Sequence, residues 1–469
     1  MYWVLVIGIF ALALGVRLYG IGKAPLWDDE IFSWVMAHYT PAQIFVRLYE
    51  GNNPPLWEIL LHFWRLLVGD EVGALRGLAA LASSLGAVGL FVLGSYTGGR
   101  AAGLIATFLW IFSDFGQSVG RELRAYALLA ALTPFAYYFF LRWLAERKYF
   151  IPWTLTLLAL YYTHYMGLTV TVAQIGMLLI LGRPYRRGLG RLLLLLSVGV
   201  GLTGVVFVER LVLYPTTSFA PKSDWEGLYN ALWRFSNQPV PTVMALLLIG
   251  TGLLAKHQSG RTSLADFTAY LGFLGIFIGI WLIGHFVRIW EPRYLMPAAM
   301  AYYWVIALSI MALPSWGRFI AAFALLLAWS LSWNPLPPGQ APFQSILFRK
   351  ISAKPDHQPL LISPRWYVLD AAYYLDRSWQ HSGLLPLEAI FHELYHRYRI
   401  IGATYYADLP VCFIERTDTL WWLEYGYNKL LPKGQLQRIL AEDFRLLHVE
   451  RIWGEIRLWG WVRRQKPAP

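Results

Sequence analysis

Three carboxyls stand in a row at Asp28, Asp29 and Glu30, directly after Trp27. Adjacent acids on a low-dielectric surface repel one another and lose hydration, so their proton affinity rises, which suits a general base. The same residues would also favour the macrodipole at a helix start, and spacing leaves both readings open. Gly120-Arg121-Glu122-Leu123-Arg124-Ala125-Tyr126 places a carboxylate between two guanidiniums. There the arginines can hold a phosphate while Glu122 orients a hydroxyl or a cation; snorkelling would account for the arginines alone. His285…Arg288-Ile289-Trp290-Glu291-Pro292-Arg293-Tyr294 again gathers cations, an acid and a tyrosine. Tyr161-Tyr162-Thr163-His164-Tyr165 sets one histidine among aromatics, where hydrogen-bonded packing is the plainer reading. Asn52-Asn53-Pro54-Pro55-Leu56-Trp57 is a rigid corner, because paired prolines hold extended backbone before them and start the next helix. Such a corner can form one wall of a substrate site. Finally, His392-Glu393-Leu394-Tyr395-His396 matches HExxH, with Glu415 a conceivable third zinc ligand. Three fixed positions recur by chance, and no second helix is evident after them, so we read this segment as polar surface.

The elements that position these groups follow from composition. The chain has 469 residues, 57% hydrophobic and only 14% charged. That balance excludes a disordered chain and an ordinary soluble enzyme. One cysteine, Cys412, excludes an intramolecular disulfide and a cysteine-based metal cluster. About eleven apolar runs are long enough to cross a bilayer core of ~30 Å. They lie near residues 2–20, 77–96, 101–118, 125–143, 149–166, 167–182, 190–209, 240–255, 265–285, 294–312 and 317–333. The first has no basic lead and no small-residue cleavage site, so it reads as a retained anchor.

With the amino terminus inside, the inner loops hold Arg100, Arg142, Arg147, Lys148, Arg183, Arg186, Arg187, Arg191, Lys256, Arg261 and Arg318, against only Glu146 and Asp266. Inner loops enriched in cations place the amino terminus in the cytoplasm and the tail outside. Most of the net +12 therefore reports orientation rather than nucleic acid.

Three outer stretches exceed simple turns: residues 21–76, 211–239 and the tail beyond about 335. Glu30–Tyr39 and Pro54–Val68 carry apolar residues at helical spacing and read as amphipathic helices on the bilayer surface. After the breaker cluster NPLPPGQAP, the tail reads as a small α/β domain. QPLLIS and VCFIER resemble strands, WYVLDAAYYLDR a helix, and LLHVERIWGEIRLWGWVRR a hairpin. The expected organisation is a membrane domain over 1–335, whose first outer loop carries the acids, and an extracytoplasmic domain over 336–469.

In order, WDDEIFSW, NNPPLWEILLHFW, ALRGLAALA, GRELRAYAL, YYTHY and EPRYLMPA resemble the pattern of the GT-C superfamily of membrane glycosyltransferases. The likeness runs through residues 1–310 and is nearest to bacterial relatives of the protein O-mannosyltransferases and of the lipid A aminoarabinose transferase. It implies a polytopic α-helical membrane fold with an extracytoplasmic site in the first outer loop. It also implies a polyprenyl-phosphate sugar donor and inversion at the anomeric carbon. The family's Asp-Glu pair matches Asp29-Glu30, with Asp29 the base and Asp28 an additional carboxyl one residue away. Its acid between the third and fourth spans matches Glu122. Arg124, Arg293 and Tyr294 would face the donor phosphate, with Arg121 beside them. Asn53 stands where the family often has histidine. Tyr126, His164, His285 and Arg288 are expected around the substrate. No cofactor is required by these residues, although a divalent metal (Mg or Mn) is compatible with them. The expected partners are the lipid donor, the bilayer of the inner membrane and an acceptor that is glycolipid, polysaccharide or protein. Two other classes compete. A transporter or flippase would carry midplane charges or paired halves, which this chain lacks, and a membrane zinc protease would use His392, Glu393 and His396.

Overall fold

The computed structural model describes residues 2–46, 53–182, 189–198, 201, 221–260, 262–336, 358–363, 367–375, 387–402, 417–425, 440–453 and 456–464. They fall into two compact units, Met1–Lys23 with Thr40–Pro337, and Ala24–Tyr39 with Pro338–Pro469.

The first unit is helical and polytopic, as the apolar runs predict. It opens with α1 (Tyr2–Leu18), in which Arg17 is the first charged residue. The segment Asp28–Met36 (α2) belongs to the other unit. Next come α3 (Pro41–Val46) and α4 (Leu56–Val68), the latter begun by Pro54 and Pro55 as the paired prolines require. Its Trp57, Glu58 and Leu61 are buried while Phe63, Leu66 and Leu67 stay exposed, the one-sided pattern expected of a surface helix.

The 40-residue α5 (Val72–Ile111) reverses at Gly99, whose φ of 84° favours glycine. Its two arms are the predicted runs 77–96 and 101–118 packed against each other. A Cβ on Gly94 would lie 2.8 Å from Gly103, so the arms touch through their backbones. Thr107 donates to the Ala87 carbonyl at 3.0 Å, and the Trp110 indole to the Ser83 carbonyl at 2.9 Å.

A short α6 (Asp114–Val119) leads into the Gly120–Ala125 turn and then α7 (Tyr126–Ala145). Helices α8 (Phe150–Thr163), α9 (Leu168–Leu181) and α10 (Leu189–Val198) follow. The stretch 211–239 contains α11 (Trp225–Phe235). The unit closes with α12 (Pro239–Ser259), α13 (Leu264–Gly284), α14 (Met296–Ala312) and α15 (Ser315–Ser332).

Among the described residues six helices are long and apolar enough to cross a membrane, and three shorter ones are apolar. α14 is buried on every side and forms the centre, whereas α15 exposes Trp316, Phe319 and Leu331. In a membrane protein such faces meet lipid rather than water.

The second unit is α/β. Its five-stranded sheet has the order β2-β1-β3-β5-β4, built from β1 (Leu360–Ser363), β2 (Ile400–Gly402), β3 (Thr419–Tyr425), β4 (Phe444–Trp453) and β5 (Ile456–Arg463). β1 pairs in parallel with β2 and β3, while β4 and β5 form the predicted hairpin. Leu361, Ile401, Leu420, Trp422, Leu440, Phe444 and Trp461 make its core. β2 and β3 also join the sheet, their Ile, Thr, Trp and Tyr suiting strands although neither is among the strands expected above, and VCFIER lies outside the described residues. The predicted helix is α16 (Val368–Leu375), and α17 (Leu387–Tyr398) carries the HELYH segment.

Here α2 departs from expectation. It does not present one apolar face, since Glu30, Ile31, Ser33, Trp34, Val35 and Met36 are all buried. Within its unit it packs on α16: the Trp34 and Tyr373 rings meet edge to face at 4.9 Å, and the Tyr374 hydroxyl donates to the Leu26 carbonyl at 2.6 Å. Tertiary packing has claimed a helix whose spacing alone pointed to a bilayer.

Candidate functional site

Each unit holds one group of charges. The carboxyl group is on the first turn of α2, where Trp27 is the N-cap and Asp28, Asp29 and Glu30 follow. Glu30 folds back so that its Oε2 accepts from the Trp27 backbone N–H at 3.3 Å, fixing the helix start. Asp28 is hydrogen-bonded to the side chains of Asp370 and Tyr367. A carboxyl–carboxyl bond requires one proton between the two acids. Burial, followed by the charge of Asp29, pushes the Asp28 carboxyl up to about 6, while the Asp370 and Tyr367 bonds act the other way. Asp370, fully buried on α16, is the residue that sequence reasoning missed. Its partner is some 340 positions away, and no local pattern links them.

The cationic group is in the membrane unit. The Gly120–Ala125 turn is not helical, so Arg121 and Arg124 do not share a face. Arg124 is buried and lies with Arg293 close enough for both charges to act on His164. His164 is buried at the end of α8, and its Nδ1 accepts from the Met166 backbone N–H at 3.1 Å, which leaves the ring proton on Nε2. A ring nitrogen that accepts carries no proton, so the imidazole is neutral in this arrangement.

Tyr126 and Tyr294 complete the cluster, their rings 5.3 and 5.5 Å from His164. The Arg293 guanidinium stands 5.4 Å over the Tyr126 ring, and its Nε is 3.7 Å from Glu291. Two arginines, a neutral histidine and two tyrosines form a donor-rich wall fitted to an anion. Glu122 is buried on the same turn, where the Arg124 N–H donates to its carbonyl at 2.7 Å. The Trp57 indole donates to the Leu123 carbonyl at 3.3 Å, so the proline corner holds the turn.

Other expected residues lie elsewhere. Arg121 turns to the end of α1, where its Nε donates to the Arg17 carbonyl at 3.4 Å. Burial and neighbouring Arg76 hold its proton affinity below that of an ordinary arginine. His285 is exposed and bonds through Nδ1 with Ser223 at 3.0 Å and the Trp281 carbonyl at 2.9 Å. Arg288 is exposed. Asn53 lies just before α4, half-buried, while Asn52 is outside the described residues. His396 is exposed on α17, and Glu415 lies outside the described residues. Among the described residues no three His, Cys, Asp or Glu side chains are placed to hold a metal ion.

Fold and composition together define a polytopic, helical membrane-type unit and a separate α/β unit. The particular likenesses are to solved structures. The chain superimposes on ArnT from Cupriavidus metallidurans in the apo state with TM-score 0.58 at 12% identity, covering 97% of both chains. For the same protein bound to undecaprenyl phosphate the TM-score is 0.55 at 14% identity, again over 97% of both. For the Archaeoglobus fulgidus oligosaccharyltransferase tethered to an acceptor peptide it is 0.52 at 12% identity, covering 99% of this chain and 74% of that one. No protein-family model matches the sequence, and no curated protein does.

Proposed function

We propose that the protein is an integral-membrane glycosyltransferase of the inner membrane. It moves a sugar from a polyprenyl-phosphate donor to an acceptor hydroxyl on the extracytoplasmic side, with inversion at the anomeric carbon. The observation that carries this reading is the pairing of buried Arg124 with half-buried Arg293 around a neutral His164, in a fold shared with a protein solved with undecaprenyl phosphate. On this reading the amino terminus is cytoplasmic and the tail unit extracytoplasmic, in keeping with the cation-rich inner loops.

Asp29 accepts the proton of the acceptor hydroxyl as its oxygen attacks the anomeric carbon. The bond from that carbon to the phosphate oxygen breaks, and the polyprenyl phosphate leaves with the bonding electrons. Arg124 and Arg293 meet the charge that develops on the phosphate, Tyr294 adds a hydroxyl donor, and Glu122 orients the acceptor. A positioned base contributes about 10²–10⁴-fold. A donor aimed at developing charge contributes about 3–4 kcal/mol. Asp28 is the weaker choice of base, because its carboxyl is engaged with Asp370 and Tyr367.

The test is Asp29→Asn. Transfer from polyprenyl-phosphate sugar should be lost while expression and donor binding persist. Normal turnover by that variant would contradict the assignment.

A further inference from the structure

Arg17 is a fully buried guanidinium in an apolar membrane helix, a placement that is costly unless function requires it. Its donors are taken up by protein. Nε donates to Ser83 Oγ at 3.0 Å, Nη1 to the Ile111 carbonyl and to Gln117 Oε1, both at 2.8 Å, and Nη2 to the Trp110 carbonyl at 2.9 Å. The group also stands 5.4 Å over the Trp110 ring. Trp110 and Ile111 end α5, so Arg17 caps helix carbonyls that have no intrahelical partner.

The same side chain is the floor of the turn that follows. A Cβ on Gly120 would lie 2.4 Å from Arg17 Cδ, and one on Gly116 2.7 Å from its Nη2. Gln117, once held by Arg17, donates from Nε2 to the Val16 carbonyl at 2.9 Å and to the Pro335 carbonyl at 3.1 Å. The turn that leaves Gly120 carries Glu122 and Arg124, two and four residues further on.

We propose that Arg17 is a positioning residue: it fixes the Gly116–Gly120 backbone and thereby the placement of Glu122 and Arg124. This rests on the glycosyltransferase reading for its consequence, but its structural half does not. Two functions of one guanidinium follow from its shape. The planar fork bonds three elements at once, and the stem sets how closely Gly120 approaches α1. A lysine keeps the charge and the stem yet cannot make the fork. A misplacement of about 1 Å in a catalytic group costs about 10²-fold in rate.

The experiment compares Arg17→Lys and Gly120→Ala with the wild type in the full-length purified protein. Gly120 has ordinary right-handed helical angles, so alanine strains no backbone there, and its Cβ meets Arg17 Cδ at 2.4 Å and Ser83 Oγ, the partner of Arg17, at 3.0 Å. Segment-resolved hydrogen exchange should show faster exchange confined to residues 113–125 in both variants. Donor turnover should fall about 10²-fold in kcat, with a smaller change in donor KM. Should Arg17→Lys fail to fold, Gly120→Ala carries both readouts. Unchanged exchange at 113–125, or exchange raised equally across the membrane helices, overturns the proposal, as does wild-type kcat in a variant whose turn has loosened. If the wild type itself transfers no sugar, the functional reading has failed, and the exchange pattern alone decides whether Arg17 holds the turn.

Discussion

The acidic start of α2 and the Gly120–Tyr126 segment solve opposite electrostatic problems. At α2, burial meets a row of like-charged acids, and the answer is a proton: Asp28 stays protonated to higher pH and is bonded to Asp370. In the membrane unit, buried Arg124 and half-buried Arg293 stand around a third basic group that carries no charge: His164, whose Nδ1 accepts from the Met166 backbone N–H. One region keeps an extra proton among acids, and the other keeps a basic ring without one. On the proposed function, carboxyls serve an incoming hydroxyl and cations a leaving phosphate.

The comparison breaks most sharply at the arginines. Arg124→Ala and Arg293→Ala are each expected to lower kcat by about 10²–10³-fold, as for loss of one donor to developing charge. Steady-state kinetics with lipid-linked donor checks this, and unchanged kcat and KM in both would remove the phosphate role.

The pH response at the start of α2 follows from Asp28. The folded pKa of Asp28 is raised, so its contribution is complete at low pH and is lost as pH rises from about 4 to about 6. Local opening measured by hydrogen exchange, corrected for intrinsic rates, should show α2 tightening as pH is lowered through that range. An α2 that loosens or does not respond on acidification would refute the role of the Asp28 proton.

Asp370→Ala should loosen α2 against α16 by roughly 1–3 kcal/mol, since the buried Asp28 carboxyl loses a partner. Asp370→Asn, which keeps a hydrogen-bonding group, should have the smallest effect of all. Equal effects from the two variants would show that the bond is unimportant.

Much of the scaffold is legible in the sequence, because apolar length and the Gly98-Gly99 break dictate helices directly. The hairpin β4–β5 is legible too, through its alternating apolar residues. The site is legible only where chemistry is local. EPRY and YYTHY announce Arg293, Tyr294 and His164, but nothing near Val368–Leu375 announces that Asp370 meets Asp28. Arg121 and Arg124 flank Glu122 in sequence as though both faced one phosphate, and the non-helical turn directs them to different neighbours. Arg17 reads as the end of an anchor until the carbonyls of Trp110 and Ile111 are seen on its guanidinium.

The most direct test of the proposed function is transfer by purified full-length protein from a small panel of polyprenyl-phosphate sugars, with and without chelator. Polyprenyl phosphate should be released in step with sugar appearing on an acceptor, for at least one donor. Lipid-linked sugar taken up or flipped in proteoliposomes with no transfer to any acceptor would contradict it.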